Sequence, residues 1–292
     1  MPWPDDFAAI TKADEPLAPY THLKIGGPAE LFVQPQTVEQ LAAVLRHCTE
    51  TRLPVRVLGG GVNLLVRDEP IPGVVLRLST PAFTTIHVEG SHVRTGCGAT
   101  LPALISATAR AGLAGFETLV GIPATVGGAL RYNAGGRDGE IGQYVRRVEV
   151  MDEHGESATR ERDELAFAEA RSNLDDMVLL TAEFDLEPDT ADAIVKRMRK
   201  AWITRKAAQP FSFEAAARVF QNPKGFQVTA LLEQAGLAGT RVGGAEVSVR
   251  NANYIVTNPG TTAKDVLRLA ELMKSKVREH SGVALEPEIV VW

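Results

Sequence analysis

Leu58-Gly59-Gly60-Gly61-Val62-Asn63-Leu64-Leu65 is the stretch on which the reading of this chain turns. Upstream, Val55-Arg56-Val57-Leu58 has the β-branched content of a short strand that feeds the glycines. Before it, Thr37 and Gln40 have capping-box spacing, and Leu41, Val44, Leu45 and Cys48 follow on one helical face. Downstream, Val74-Val75-Leu76-Arg77-Leu78 reads as another strand, so the loop sits in a β-α-β unit over residues 15–80. Glycine carries no Cβ and tolerates φ > 0, which lets backbone N–H groups turn toward a ligand at close range. A second run, Gly121-Ile122-Pro123-Ala124-Thr125-Val126-Gly127-Gly128-Ala129, leads to Asn133-Ala134-Gly135-Gly136. Neither is a G-x-G-x-x-G or a G-x-x-x-x-G-K-[ST] fingerprint, and either alone reads as a tight turn. The two together suggest a long cleft lined with amides and suited to a dinucleotide diphosphate.

The rest of the chain organises around these loops. Ile86-His87-Val88 and Val93-Arg94-Thr95 read as strands around Gly90-Ser91, and Thr100 caps a helix that ends near Gly112. Val148-Glu149-Val150-Met151 and Val178-Leu179-Leu180 are further strands, with a turn at Asp152-Glu153-His154-Gly155. Together these make a second unit, residues 81–187. The pattern then changes. Residues 191–206, the segment around 228–232 and residues 262–280 read as helices, and Asn253-Tyr254-Ile255-Val256 as a strand, which gives a last domain over 192–292.

At 292 residues and a net charge of −5, the chain has the composition of a folded globular protein and gives no electrostatic case for nucleic acid. The one basic cluster, Lys196-Arg197-Met198-Arg199-Lys200 with Arg205 and Lys206, reads as a solvated helix face. Two cysteines make no disulfide framework, and no His/Cys/carboxylate spacing calls for a metal. Neither a signal peptide nor a bilayer-length apolar run is evident, so a cytoplasmic protein with no membrane partner is expected.

The motifs also resemble a known family. Thr21-His22-Leu23-Lys24-Ile25-Gly26-Gly27-Pro28-Ala29, both glycine loops, Arg171-Ser172, Gln209-Pro210, Val219-Phe220-Gln221-Asn222-Pro223, Gly243-Gly244-Ala245 and Leu285-Glu286-Pro287-Glu288 are similar, in order, to those of UDP-N-acetylenolpyruvoylglucosamine reductase. The resemblance implies an α+β chain: a two-part FAD-binding domain of the vanillyl-alcohol-oxidase type (15–80 and 81–187) plus a C-terminal α/β substrate-binding domain (192–292). It implies FAD and NADPH as cofactors and hydride delivery to the enolpyruvyl double bond of a nucleotide sugar, a step in making peptidoglycan precursors. FAD would lie against Gly59, Gly60, Gly61, Val62, Asn63, Leu64, Gly121, Ile122, Pro123, Thr125, Val126, Gly127, Gly128 and Asn133. Asn222 and Gln221 would bind substrate. Arg171 and Glu288 match the positions that stabilise charge on the reacting carboxylate.

One position departs from the pattern where chemistry is expected. The family keeps a proton-donating serine where this chain has Arg218, and a guanidinium stays protonated, so it is a poor general acid and a good anchor for anions. Ser212 would take the serine's place only if the Val-Phe-x-Asn-Pro frame slipped. Gln221 replaces a usual lysine, Asn251 a histidine and Ala170 a tyrosine. In the loops, Val62 replaces a serine and Ala124 a glycine. These changes leave three readings open. They are the family reaction, a paralogous flavin oxidoreductase acting on another unsaturated or hydroxy acid with Arg218 gripping an anionic group, and a non-catalytic protein that binds flavin or a nucleotide sugar.

Overall fold

The structure is a computed structural model that describes residues 3–136, 138–210 and 215–292; Ser212 lies outside the described residues. Contacts divide the chain into two compact units. The first takes residues up to Ala13, Leu31–Gly60 and Pro72–Thr204; the second takes Asp14–Glu30, Gly61–Ile71 and Arg205–Trp292. The two expected cofactor subdomains, 15–80 and 81–187, both contribute to the first unit, while 14–30 and 61–71 fold with the C-terminal segment. Sequence order hid this, because the chain leaves and re-enters each unit.

The first unit carries two sheets. In the four-stranded sheet the order is Thr11–Pro16, Pro28–Val33, Ile71–Leu76, Val55–Val57, and the last pair is parallel, with Val55 opposite Val74 and Val57 opposite Leu76. Helix Val38–Thr51 covers it with Leu41, Val44, Leu45 and Cys48, all buried. Thr37 caps this helix by accepting from Gln40 N at 3.2 Å, but the expected box is only half formed: Gln40 Oε1 accepts from Gln36 N instead. The five-stranded sheet is antiparallel, in the order Ser157–Glu161, Val145–Met151, Val178–Asp185, His92–Gly96, Ile86–Glu89. Helix Leu101–Arg110, capped by Thr100 as expected, packs Leu101, Leu104 and Ile105 into its core.

The basic cluster is more than a solvated face. Arg197 donates from Nε and Nη2 to Glu117 Oε1 at 2.9 and 2.7 Å and from Nη2 to Asp189 Oδ2 at 2.7 Å, tying helix Ala191–Ala208 to the loop at Gly115. Glu117 is buried, and an unpaired charge there would be costly, so it recruits the arginine.

The second unit is an antiparallel sheet in the order Ala216–Arg218, Tyr254–Thr257, Ala245–Val247, Arg241–Val242, backed by helices Val228–Gln234 and Ala263–Ser281. The long helix has a complete capping box between Thr262 and Asp265 and ends on Gly282 at φ 73°. Its Val266, Leu269, Met273 and Val277 fill the core. Asp68 accepts from Ala263 N and Lys264 N at 2.8 and 3.2 Å, which fixes the 61–71 segment to the start of this helix. Among the described residues, no helix is long and apolar enough to cross a membrane.

Candidate active site

Within the first unit, Gly59 of the first loop lies close to Thr125 of the second. A Cβ placed on Gly59 would come within 2.8 Å of Thr125 Oγ1, and one on Gly127 would sit 3.2 Å from Cys97 Cβ. The strand Val55–Val57 aims the first loop: Leu58 N still donates to Leu76 O at 2.8 Å, after which the ladder ends. Beyond it, the amides of Gly59, Gly60, Gly61 and Val62 take no partner among the described residues. Backbone amides with no protein partner are open to an anion. Gly61 has φ 61° and its Cα faces Tyr20 O and Thr21 Cα so closely that no side chain fits; its own carbonyl accepts from His22 N at 2.9 Å.

The second loop uses part of its backbone differently: the amides of Gly121, Ala124 and Thr125 take no partner among the described residues, while others are engaged. Val126 N donates to Ala99 O, Gly127 N to Cys97 O, Ile122 N to Leu119 O and Gly128 N to Thr125 Oγ1, at 2.8, 2.8, 3.1 and 3.3 Å. The Val126 and Gly127 amides fasten the loop to the strand end at Gly96–Ala99, and those of Ile122 and Gly128 close local turns. Its glycines serve close packing and a smooth wall. Val126 is wholly buried in the core, so its side chain is not presented to a ligand. Leu64 is likewise buried and pairs in parallel with Val290.

Asn133 also turns inward. It is 2 % exposed and sits at φ 43°. Its Nδ2 donates to Glu140 Oε2 and Ala168 O at 2.6 and 3.0 Å, and its Oδ1 accepts from Gly142 N at 3.1 Å. The side chain therefore braces a hairpin in which Ala168 pairs with Arg171 and Phe167 with Ser172. Ala170, at the turn, is held at φ 56°, a conformation that favours glycine or asparagine. Arg171 leaves this braced turn exposed, with no partner among the described residues. A fixed backbone carrying an open guanidinium suits capture of a carboxylate.

In the second unit, Arg218 and Glu288 meet. Arg218 Nε lies 3.1 Å from Glu288 Oε2, with the carboxylate side chain 20 % exposed. Arg218 is thus held in an ion pair and not released to bulk water. Burial pushes the Glu288 carboxyl above its usual range, and the guanidinium opposes this without overcoming it. Two contacts set the backbone of Glu288: Asn63 Nδ2 donates to Glu288 O at 2.7 Å, and Glu288 N donates to Val219 O at 2.8 Å. Asn63, expected at the cofactor, therefore spends its amide on the glutamate's strand. Gln221 donates from Nε2 to Pro287 O at 3.3 Å, and Asn222 Oδ1 accepts from Val228 N at 3.1 Å, capping the next helix. Both expected substrate ligands hold the loop in shape. Asn251 does the same: it accepts from Thr229 Oγ1 and Asn253 N and donates to Ala208 O.

Comparison with known proteins identifies the architecture. Residues 29–159 match the FAD binding domain family, and residues 209–292 match the C-terminal domain of UDP-N-acetylenolpyruvoylglucosamine reductase. UDP-N-acetylenolpyruvoylglucosamine reductase 2 of Symbiobacterium thermophilum is 41% identical over 95% of this chain and 91% of its own length. The chain belongs to the UDP-N-acetylenolpyruvoylglucosamine reductase family. The Synechococcus sp. reductase is 38% identical over 94% of this chain and 90% of its own length. The crystal structure of the Thermus caldophilus reductase superimposes with a TM-score of 0.84 at 37% identity, covering 97% of this chain and 99% of that one. The expected α+β fold, a two-part FAD-binding domain followed by a family-specific C-terminal domain, is thereby borne out, as is FAD-dependent oxidoreductase chemistry. The residues fit the flavin cofactor: Gly59 and Gly60 keep open amides, and a Cβ on Gly59 would come within 2.8 Å of Thr125 Oγ1 in the same unit.

The sequence marks Tyr254 only as part of a strand. It is directly opposite Arg218 in the antiparallel pair Ala216–Arg218 with Tyr254–Thr257. Its signal was faint: one hydroxyl-bearing aromatic in a strand that otherwise reads as core. Gly96 and Gly98 were missed too, although Cβ atoms there would strike the backbone of Phe83 and Leu78.

Proposed function

We propose that this chain reduces the enolpyruvyl double bond of UDP-N-acetylenolpyruvoylglucosamine, with NADPH as the source of electrons. The observation that carries the reading is kinship over almost the whole chain, through both the flavin-binding and the C-terminal domains, with reductases of that name. When bound, FAD supplies the hydride. Gly59, Gly60, Gly61 and Val62 would hold it through their open amides, together with Gly121, Pro123, Thr125 and Gly127.

The protein's own side chains manage charge. Addition of hydride to the terminal carbon of the enolpyruvyl group moves electron density onto the α-carbon and its carboxylate. Arg171, exposed on its braced hairpin, pairs with that carboxylate. Glu288, whose carboxyl burial pushes upward against the pull of Arg218, takes the second charge-stabilising role at that carboxylate. Arg218 keeps the Glu288 carboxyl oriented and adds positive potential. A nucleotide sugar is the partner, and the cytoplasm, where such precursors are made, is the compartment.

Anaerobic half-reactions test this. NADPH should bleach the yellow holoprotein, and UDP-N-acetylenolpyruvoylglucosamine should restore its colour. Bleaching without reoxidation would point to a different unsaturated or hydroxy acid, and absence of bleaching would point to a binding protein without turnover.

A further inference from the structure

A guanidinium is a poor proton source at neutral pH, so Arg218 does not replace the hydroxyl it stands for. The reduced α-carbon still requires a proton. The structure sets a second group beside the arginine. Arg218 and Tyr254 are directly opposed across the strand pair, so their side chains share one face of the sheet. On that face the phenol makes a side-chain hydrogen bond with Gln209 and lies within electrostatic reach of Arg218, Arg205 and Glu288. Arg218 in turn reaches Glu288 at 3.1 Å. One strand pair and one returning loop thus gather a phenol, a guanidinium and a carboxyl.

We propose that Tyr254 is the catalytic acid of this chain, giving its hydroxyl proton to the α-carbon of the enolpyruvyl group while Arg218 holds the resulting phenolate. The proposal rests on the substrate reading above. The balance is complete. A hydride forms the new C–H bond at the terminal carbon, the π electrons pass to the α-carbon, and the Tyr254 O–H bond breaks as the α C–H bond forms. The phenolate then recovers its proton from water. NADPH provides the hydride equivalent through the flavin, and solvent provides the proton.

The surroundings favour this use of a phenol. Burial raises the Tyr254 hydroxyl above its usual value, so it stays protonated and ready to donate at neutral pH. The cations beside it, Arg218 and Arg205, act in the opposite direction and stabilise the anion once the proton has gone. Glu288 is less available as the proton source, because Arg218 engages its Oε2.

The test compares FAD-loaded wild type with Tyr254→Phe by anaerobic stopped flow. The expected result has three parts. Bleaching by NADPH stays within threefold, binding of UDP-N-acetylenolpyruvoylglucosamine to the oxidised holoprotein (read from the flavin spectrum) stays within threefold, and reoxidation slows by about 100-fold or more. Wild-type reoxidation falls at alkaline pH as the phenol ionises, and global replacement of tyrosine by fluorotyrosine moves that fall to lower pH without altering the fold. Reoxidation of Tyr254→Phe within threefold of wild type overturns the proposal. So does a loss of substrate binding that accounts for the whole effect, or an alkaline limb that fluorotyrosine does not move. Failure of wild type to be reoxidised removes the substrate reading itself, and this outcome is distinct from failure at Tyr254.

Discussion

The glycine cradle and the Arg218–Glu288 cluster are built from different parts of the polypeptide. The cradle is made of backbone. Its first loop leaves four successive amides open, and its second engages those of Ile122, Val126, Gly127 and Gly128 in holding itself in place. The cluster is made of side chains, and its backbone is fixed by amides from Asn63 and Asn253: Asn253 Nδ2 donates to Phe220 O at 2.8 Å, and its Oδ1 accepts from Phe220 N at 3.0 Å. A site made of backbone tolerates substitution poorly wherever Cβ matters and well elsewhere. Val62 and Ala124 can therefore depart from the family pattern without closing the cradle. A site made of side chains can exchange one chemistry for another while the strands beneath it stay in register, and the proposed exchange falls on the opposed pair Arg218 and Tyr254.

If the contrast is real, damage to the two regions should separate. The largest effect is expected from Gly59→Val, which fills the cradle and presses on Thr125. The FAD dissociation constant, followed by flavin fluorescence, should rise by about 100-fold, or about 2.7 kcal/mol. Next, Glu288→Gln should leave flavin affinity within twofold while slowing substrate-driven reoxidation by about 100-fold. A variant in which both fall together would break the separation.

The same variant gives a pH test. Because the folded-state pKa of Glu288 is raised, its stabilising contribution is fully present below the unfolded value of 4.5 and is lost as pH rises through the folded value. Denaturation midpoints should therefore show Glu288→Gln gaining stability relative to wild type as pH is raised across that window, whereas an unchanged difference would contradict the burial of this carboxyl.

Asn63→Ala sharpens the comparison from the boundary between the two designs, since Asn63 ends the loop yet fastens Glu288. Reoxidation should slow by about 10-fold through misplacement of the carboxyl, and thermal stability should fall by about 1–2 kcal/mol for the unsatisfied Glu288 carbonyl. Last, Ala170→Gly relieves the left-handed strain at the hairpin turn and should raise stability by about 1 kcal/mol in urea denaturation, with little change in turnover.

The sequence was informative where physics is local. Thr37, Thr100 and Thr262 each cap the helix they were expected to begin, and the strands around Gly90 and after Met151 turn where glycine and aspartate permit. Arg171, Glu288 and the loops could be singled out because their motifs stand in a fixed order. The roles of Asn63, Asn133, Gln221 and Asn222 could not, since an amide reads the same whether it faces a ligand or a neighbouring carbonyl. Only the identity of its hydrogen-bond partner distinguishes the two, and those partners lie as far as 225 residues away.

By itself, then, the sequence determined the helices, the turns, the flavin-binding class and the presence of an arginine where a hydroxyl was expected, because each depends on residues close together in the chain or on motifs in order. The tertiary structure alone decided which amides remain open, that residues 14–30 and 61–71 fold with the C-terminal segment, and that Tyr254 faces Arg218. Those facts depend on strand register and chain crossing, which bring together groups that no local pattern connects.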